Sequence, residues 1–416
     1  MILFSVPKTY PGGKIFTLPM CFFLSELVGM KWTAISLKNS KLWIPLTMIV
    51  IATIILCVTS PHYQSVIGLF RLFNKELICK YFYLAYAFIC IYNTKSLKPF
   101  LNLTYYSVII MTILGVINLI TRHSHFLDIA MIGGEWNDIL ADMGGKYEFK
   151  ERFRVQSTFF NAFCYGYICV MNLLLFMYAH TKKMVSLNQY HIVVAGSLFG
   201  IIFCGCRTIL VIAVAGYFVY IFMTEKLSLK IKYFIAAFFI SVFSYQFIKP
   251  VEKLVDSTLF AFDKDYKIEG GGSSIEMRSV QFARVLYYVK DHPVFGRGKD
   301  FFREDLGYKN GKSGLLDRDL HGLEGVVLSL LLERGVVGVF FYFFFIILML
   351  WIIWEYRDYD RNTTAFAVAI LTSYTLFANA TGELASFPPT FVLIGCVLGM
   401  MYHQRRKEKL ILLLKN

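Results

Sequence analysis

Arg207 interrupts a long apolar stretch, in Gly205-Cys206-Arg207-Thr208, at the start of a further hydrophobic run. A guanidinium beside hydrocarbon is costly, and its usual compensation is an anionic ligand or escape of the head group to lipid phosphate. Arg154 stands just before another apolar run, behind Lys150, Glu151 and Arg152, and Arg278 lies in a long polar loop. Singly, Arg207 also reads as a snorkelling interfacial residue, Arg154 as part of a solvated charge cluster and Arg278 as a surface charge. Together, on the one face of a membrane where the topology below places them, three guanidinium forks match the paired oxygens of a diphosphate. A lipid diphosphate is the ligand that suits such a set best.

A second kind of chemistry is available at His321 and Glu324, three residues apart. On a helix they share a face. Either can serve as a general base, the histidine by its ordinary pKa and the glutamate if burial raises its own. An exposed helix start is the plainer reading of the same pair, since acidic residues favour that end of the dipole. His123-Ser124-His125 offers two imidazoles but no carboxylate or thiol to complete a metal set, so it reads as a surface loop. Cys204 and Cys206 sit within a hydrophobic run and read as small packing residues. Gly296-Arg297-Gly298 has neither the third glycine of a dinucleotide fingerprint nor the Gly-Lys-Ser/Thr of a phosphate loop. No metal and no cofactor is implied.

The elements that must position these residues are membrane helices. Of 416 residues, 57% are hydrophobic and only 17% charged, with 40 Phe and 26 Tyr. Mean hydropathy is +0.56. Soluble domains carry about 25% charged residues, so a soluble enzyme, a disordered chain and a secreted disulfide scaffold are excluded. The apolar runs are continuous rather than alternating, which argues against a transmembrane barrel. The formal charge of +14 lies largely in short loops between apolar runs and in the tail Arg405-Arg406-Lys407, a membrane pattern rather than a nucleic-acid one.

The fold class read from these patterns is an all-α polytopic membrane protein with about 11 (10–12) transmembrane helices. The candidate spans are 15–30, 42–59, 77–92, 99–120, 157–179, 189–206, 207–223, 231–248, 336–355, 364–380 and 388–402. The first is the weakest, and its lack of a small-residue cleavage site gives no reason to expect its removal. Lys31, Lys38 and Lys41, then Lys95 and Lys98, Lys182 and Lys183, Lys226 and Lys230, Arg357 and Arg361, and the basic tail all fall on one side of this alternation. By the positive-inside rule that side is cytoplasmic. The opposite side receives 60–76, 121–156, 249–322 and 381–387.

Three divisions follow: spans in 1–248, an external loop region in 249–335 and C-terminal spans with a basic cytoplasmic tail in 336–416. In the loop, Gly270-Gly271-Gly272 breaks the chain and Ser273 and Glu276 have capping-box spacing. That predicts a helix from Ile275 to Lys290, with Ile275, Val280, Phe282, Leu286 and Val289 available for burial, ended by Asp291-His292-Pro293. A second helix is expected from near Leu320 through Val326–Leu332 to Gly335.

Four stretches, taken in order, resemble the O-antigen polymerase and O-antigen ligase superfamily, the Wzy-type glycosyltransferases. Arg154-Val-Gln-Ser157-Thr-Phe159-Phe-Asn161 is similar to its arginine–small–Phe–Asn stretch before a span. Cys206-Arg207-Thr208 resembles its Ser-Arg-small motif. Arg278, fifteen residues before Pro293-Val294-Phe295-Gly296-Arg297-Gly298, resembles its arginine helix followed by Pro-x-x-Gly-x-Gly. Leu330-Leu331-Leu332-Glu333-Arg334-Gly335-Val336-Val337-Gly338 resembles its closing Glu-x-Gly-x-x-Gly element. The resemblance covers roughly residues 150–340. Ligases of the family usually carry His-Asn about eleven residues before the first closing glycine; here that position is Glu324, and His321 lies earlier. The base therefore stays open between the two.

The resemblance implies a GT-C-like helical fold in the bacterial inner membrane, with its site and the 249–335 loop on the periplasmic face. It implies transfer of an undecaprenyl-diphosphate-linked glycan to a second lipid-linked repeat unit, without metal. Arg207 and Arg278 would hold the diphosphate, Arg154 would add a third contact, and Glu324 or His321 would serve the acceptor. Membrane lipid is the surrounding partner, a chain-length regulator protein a possible further one, and nucleic acid none. An O-antigen ligase acting on lipid A–core has the same chemistry with another acceptor. A lipid-linked glycan flippase or transporter would need polar residues at mid-membrane depth, where the spans show little but Lys80.

Overall fold

The computed structural model describes residues 41–126, 154–159, 161–224, 275–307, 316–320, 323–382 and 386–415. Among these residues the regular structure is entirely helical. In chain order the helices are α1 (Trp43–Thr59), α2 (Val66–Phe73), α3 (Tyr83–Thr94), α4 (Lys98–Thr121), α5 (Ala162–Thr181), α6 (Leu187–Phe203) and α7 (Arg207–Thr224). There follow α8 (Ile275–Val289), the single turn α9 (Phe301–Glu304), α10 (Val326–Trp354), α11 (Arg361–Thr381) and α12 (Phe387–Lys415). A π-helical stretch, Asn74–Tyr81, joins α2 to α3.

The apolar runs become helices because their backbones can satisfy themselves only that way inside lipid, and polar residues mark their ends. Asn161 caps α5 by accepting from Phe163 N at 2.8 Å, and Ser186 with Gln189 forms a capping box at α6. Among the described residues α4, α5, α7, α10 and α11 are long and apolar enough to cross a membrane, and α1 and α6 are shorter apolar helices. The expected spans at 15–30 and 231–248 lie outside the described residues.

Two units pack separately. One holds α4–α7 and the first part of α11. Its centre is α5, where Tyr165, Tyr167, Phe176 and Tyr178 are fully buried. Tyr178 stacks on Phe366 at 4.6 Å between ring centroids and its hydroxyl lies 3.0 Å from Thr363 Oγ1. The other unit holds α1–α3, α8–α10, α12 and the last residues of α11. There α12 lies along α3, and a Cβ on Gly399 would stand 2.8 Å from Phe88 O, so glycine sets that approach.

Within each unit the basic loops gather at common ends. Lys182 pairs with Asp360 at 2.7 Å, and Arg361 Nε donates to Met223 O, in the first unit. In the second, Lys41 pairs with Glu355, and Arg405 lies over Tyr356 and Tyr359.

Two expectations for the loop change. Helix α8 appears where predicted and Val289 is buried as expected, but Gln281 and Val285 complete its buried row, while Val280, Phe282 and Leu286 are exposed. The core beneath it is Leu306, Leu320 and Leu332, and it meets that spiral row rather than the other. The second helix starts at Val326 rather than near Leu320. Gly325 has φ +91° and ψ 128°, a conformation from which a helix cannot be extended backwards. Glu324 consequently precedes the helix.

Candidate functional site

The Pro-x-x-Gly-x-Gly stretch and the Glu-x-Gly element are two halves of one structure. Arg297 N donates to Leu332 O and Gly298 N to Glu333 O, each at 2.9 Å. In return Val336 N donates to Pro293 O at 2.9 Å and Val337 N to Val294 O at 3.1 Å. Helix α10 must open to supply these groups, and it does so at Gly335, whose φ of 61° and ψ of −160° are non-helical. The two strands of chain pass so close that a Cβ on Gly296 would lie 2.6 Å from Arg334 N, and one on Gly335 would overlap Val294 O. Both positions also have positive φ, so glycine is required twice over.

This clasp anchors α8, which precedes it, and α8 carries Arg278. The Arg278 guanidinium reaches Glu324 Oε2 from Nη2 at 2.7 Å and from Nε at 3.2 Å, and Nη2 also donates to Ala380 O at 3.0 Å. One turn along α8, the buried Gln281 accepts from Glu324 N at 3.4 Å. Two of the candidate residues are thus brought together, as an ion pair with part of each side chain open to solvent. His321 lies outside the described residues. Farther along α8, Arg284 and Tyr288 hold Asp317 at 2.7 and 2.9 Å. Burial would push the Asp317 carboxyl up, but these hydrogen bonds outweigh it and hold it below the usual range.

Beneath the clasp lies a charge network that the sequence reading did not single out. Glu76, at the start of the π-helical stretch, accepts from Arg334 Nη2 at 2.7 Å and lies 3.6 Å from Lys299 and 3.9 Å from Lys80. Lys299 also pairs with Glu333 at 2.8 Å, and Asp300 N donates to Glu333 Oε1 at 3.3 Å. Burial alone would raise the Glu76 carboxyl; Lys299, Arg334 and Lys80 together hold it well below the carboxylate range. Burial opposes the charge on Lys299 as well, yet Glu333 and Glu76 raise its pKa. The network also ties the chain after α1 to the clasp: Lys299 N donates to Ser60 Oγ at 2.9 Å, Tyr63 to Asp300, and His62 Nε2 lies 2.6 Å from Asp305.

In the other unit the segments bearing Arg154 and Arg207 converge. Val155 N donates to Phe203 O at 3.0 Å, and Ser157 Oγ donates to Met111 O at 2.6 Å, which seats residues 154–159 against the end of α6 and the middle of α4. The Arg154 guanidinium lies over the Phe163 ring at 5.7 Å, and its side-chain stem passes Gly205, where a Cβ would stand 3.4 Å from it. Two residues on, Arg207 opens α7 and is half-buried. Cys204 and Cys206 are buried free thiols, in keeping with a packing role. The His123 and His125 rings stand 5.0 Å apart, and among the described residues no group of three His, Cys, Asp or Glu side chains is arranged to hold a metal.

The family model for O-antigen ligase matches residues 192–343. The matched stretch runs from α6 into α10 and contains Arg207, Arg278, Glu324 and both halves of the clasp; Arg154 lies ahead of it. The match supports the superfamily that the motifs resemble, and with the apolar helices it indicates a multi-pass membrane protein. No curated protein matches the chain.

Proposed function

We propose that the protein is a metal-independent glycosyltransferase of the O-antigen polymerase type, joining undecaprenyl-diphosphate-linked repeat units at the periplasmic face of the bacterial inner membrane. About eleven spans in a GT-C-like arrangement would carry the site. The observation that bears most weight is Arg278: it stands on the helix anchored by the family's own glycine clasp and already grips a carboxylate, Glu324, with two nitrogens. A guanidinium preset in this geometry can exchange that carboxylate for a phosphate oxygen. Arg207 and Arg154, which converge at one end of the other unit, are assigned to the diphosphate by the family resemblance alone.

The chemistry follows from the leaving group. The acceptor hydroxyl attacks the anomeric carbon, the bond from that carbon to the diphosphate oxygen breaks, and undecaprenyl diphosphate departs with its charge met by the arginines. The acceptor proton passes to Glu324 or His321. Release of Glu324 from Arg278 as the donor binds would free the carboxylate at the moment a base is needed.

The ligase reading keeps every step and changes the acceptor to lipid A–core. The test is purified protein with lipid-linked repeat units, alone and with lipid A–core, with and without excess chelator. A ladder of lengthened lipid-linked glycans, unchanged by chelator, is expected from repeat units alone. Product on lipid A–core only would assign a ligase, and no glycan transfer in either mixture would overturn the glycosyltransferase reading.

A further inference from the structure

Helix α2 buries one face and leaves the other bare. Leu72 is fully buried and, with Leu69 and Phe73, packs on Leu56 and Cys57 near the end of α1. On the opposite face Val66, Ile67 and Phe70 are 83%, 66% and 70% exposed. Water disfavours so large an apolar row on an eight-residue helix, and such patches mark contact surfaces.

The surroundings say what covers it. The turn between α1 and α2 is closed, with Tyr63 N donating to Ser60 O at 3.2 Å and Ser65 capping α2 through Gly68 N at 3.0 Å. The helix is therefore held at the level where α1 ends. The exposed row of α1 itself, Ile51, Ile54 and Val58, runs up to that level as the surface an apolar membrane helix offers to lipid. Charge points the same way: from Ser60 to Lys75 there is no acidic residue, and Arg71 and Lys75 are exposed. An apolar face flanked by cations, at the end of a membrane helix, is the composition of an interfacial helix.

We propose that α2 lies in the membrane interface, with Val66, Ile67 and Phe70 among the upper acyl chains and Arg71 beside lipid phosphate. The occupant of this face is bilayer lipid. Because Ser60, His62 and Tyr63 bind Lys299, Asp305 and Asp300, the helix also fixes the depth of the 298–305 segment relative to the membrane surface. This inference stands independently of the proposed reaction.

The test places a cysteine at Phe70, labelled with an environment-sensitive fluorophore, in the full-length chain in vesicles of phosphatidylcholine and phosphatidylglycerol. A label at the exposed Asp291 is the reference. Lipids spin-labelled near the top of the acyl chain should quench the Phe70 label several-fold more than the reference, and aqueous iodide several-fold less. Iodide quenching equal to that at Asp291 without lipid quenching overturns the proposal, as does self-quenching between labelled copies without lipid quenching, which would seat a second copy there. Hydroxyl-radical footprinting of the unaltered chain in nanodiscs avoids any substitution. Ile67 and Phe70 should be oxidised several-fold less than Leu316, and comparable oxidation overturns the proposal.

Discussion

Replacing Gly335 by alanine tests whether the clasp holds the site. The residue sits at φ 61° and ψ −160°, a region open essentially to glycine, so a side chain there costs about 1–3 kcal/mol in backbone strain alone. Its Cβ would also overlap Val294 O, forcing the 293–298 segment away. That displacement loosens four backbone hydrogen bonds, those from Arg297, Gly298, Val336 and Val337, at about 1 kcal/mol each if lost. Partial loss of the four plus strain gives about 4 kcal/mol. Gly382→Ala is the matched control: its φ is +89°, but the nearest atom to a Cβ would be 3.9 Å away, so only strain of about 1–2 kcal/mol applies. Thermal unfolding of both variants in nanodiscs should separate them, with Gly335→Ala losing about 5 °C and Gly382→Ala about a quarter to a half of that. Polymerisation at matched protein levels should fall with the first and survive the second, because α8 and Arg278 hang from the clasp. Equal melting temperatures for the two variants, or a wild-type value for Gly335→Ala, would refute the reasoning.

Glu76→Gln should destabilise the protein by about 3–5 kcal/mol at neutral pH, since Arg334 and Lys299 would lose their buried counter-charge. With its folded pKa depressed, Glu76 contributes fully above the unfolded carboxylate value, about 4.3, and its contribution is lost as pH falls through the lower folded value; a thermal-stability series across that range should lose its acid limb in the variant, and an unchanged limb would count against the network. Lys299 has the opposite sign, contributing below about 10.4 and losing its effect as pH rises past its raised folded value. If Arg207 holds the leaving diphosphate by two directed hydrogen bonds, as proposed, glycan polymerisation should fall about a hundredfold, some 3 kcal/mol, in Arg207→Lys as in Arg207→Ala, because lysine cannot reproduce a bidentate contact. Near wild-type activity in the lysine variant would mean that Arg207 serves lipid head groups instead.

Helix placement was legible because lipid makes hydropathy a direct record of burial in the membrane. The runs at 99–120 and 207–223 reappear as α4 and α7 within two residues at either end. The buried face of α8 was not legible. Its apolar residues occur on both sides, and only the position of Leu306, Leu320 and Leu332 selects Val285 and Val289 over Phe282 and Leu286. Glu76 was hidden for a related reason. A lone carboxylate at the edge of an apolar run reads as a span boundary, and its partners stand more than two hundred residues away at Lys299 and Arg334. Lys80, four residues on, was the available signal: an i,i+4 carboxylate–lysine pair at a membrane edge points to shared burial.

The clasp changes what the family motifs can mean. Read as separate strings, the Gly296–Gly298 and Glu333–Gly338 stretches look like two functional signatures. In the structure each explains the other, since Gly296 and Gly335 exist so that the two backbones can touch, and Glu333 faces Lys299 across the join. Their co-occurrence in this chain therefore reports the way α8 is anchored. Under the proposed function, the groups that would meet an acceptor include those on the short connection that leads into α10. Glu324 lies there, held by Arg278 on its side chain and Gln281 on its backbone. An acceptor hydroxyl that met this carboxylate would meet it only after Arg278 had turned to another anion, so donor binding would precede acceptor activation.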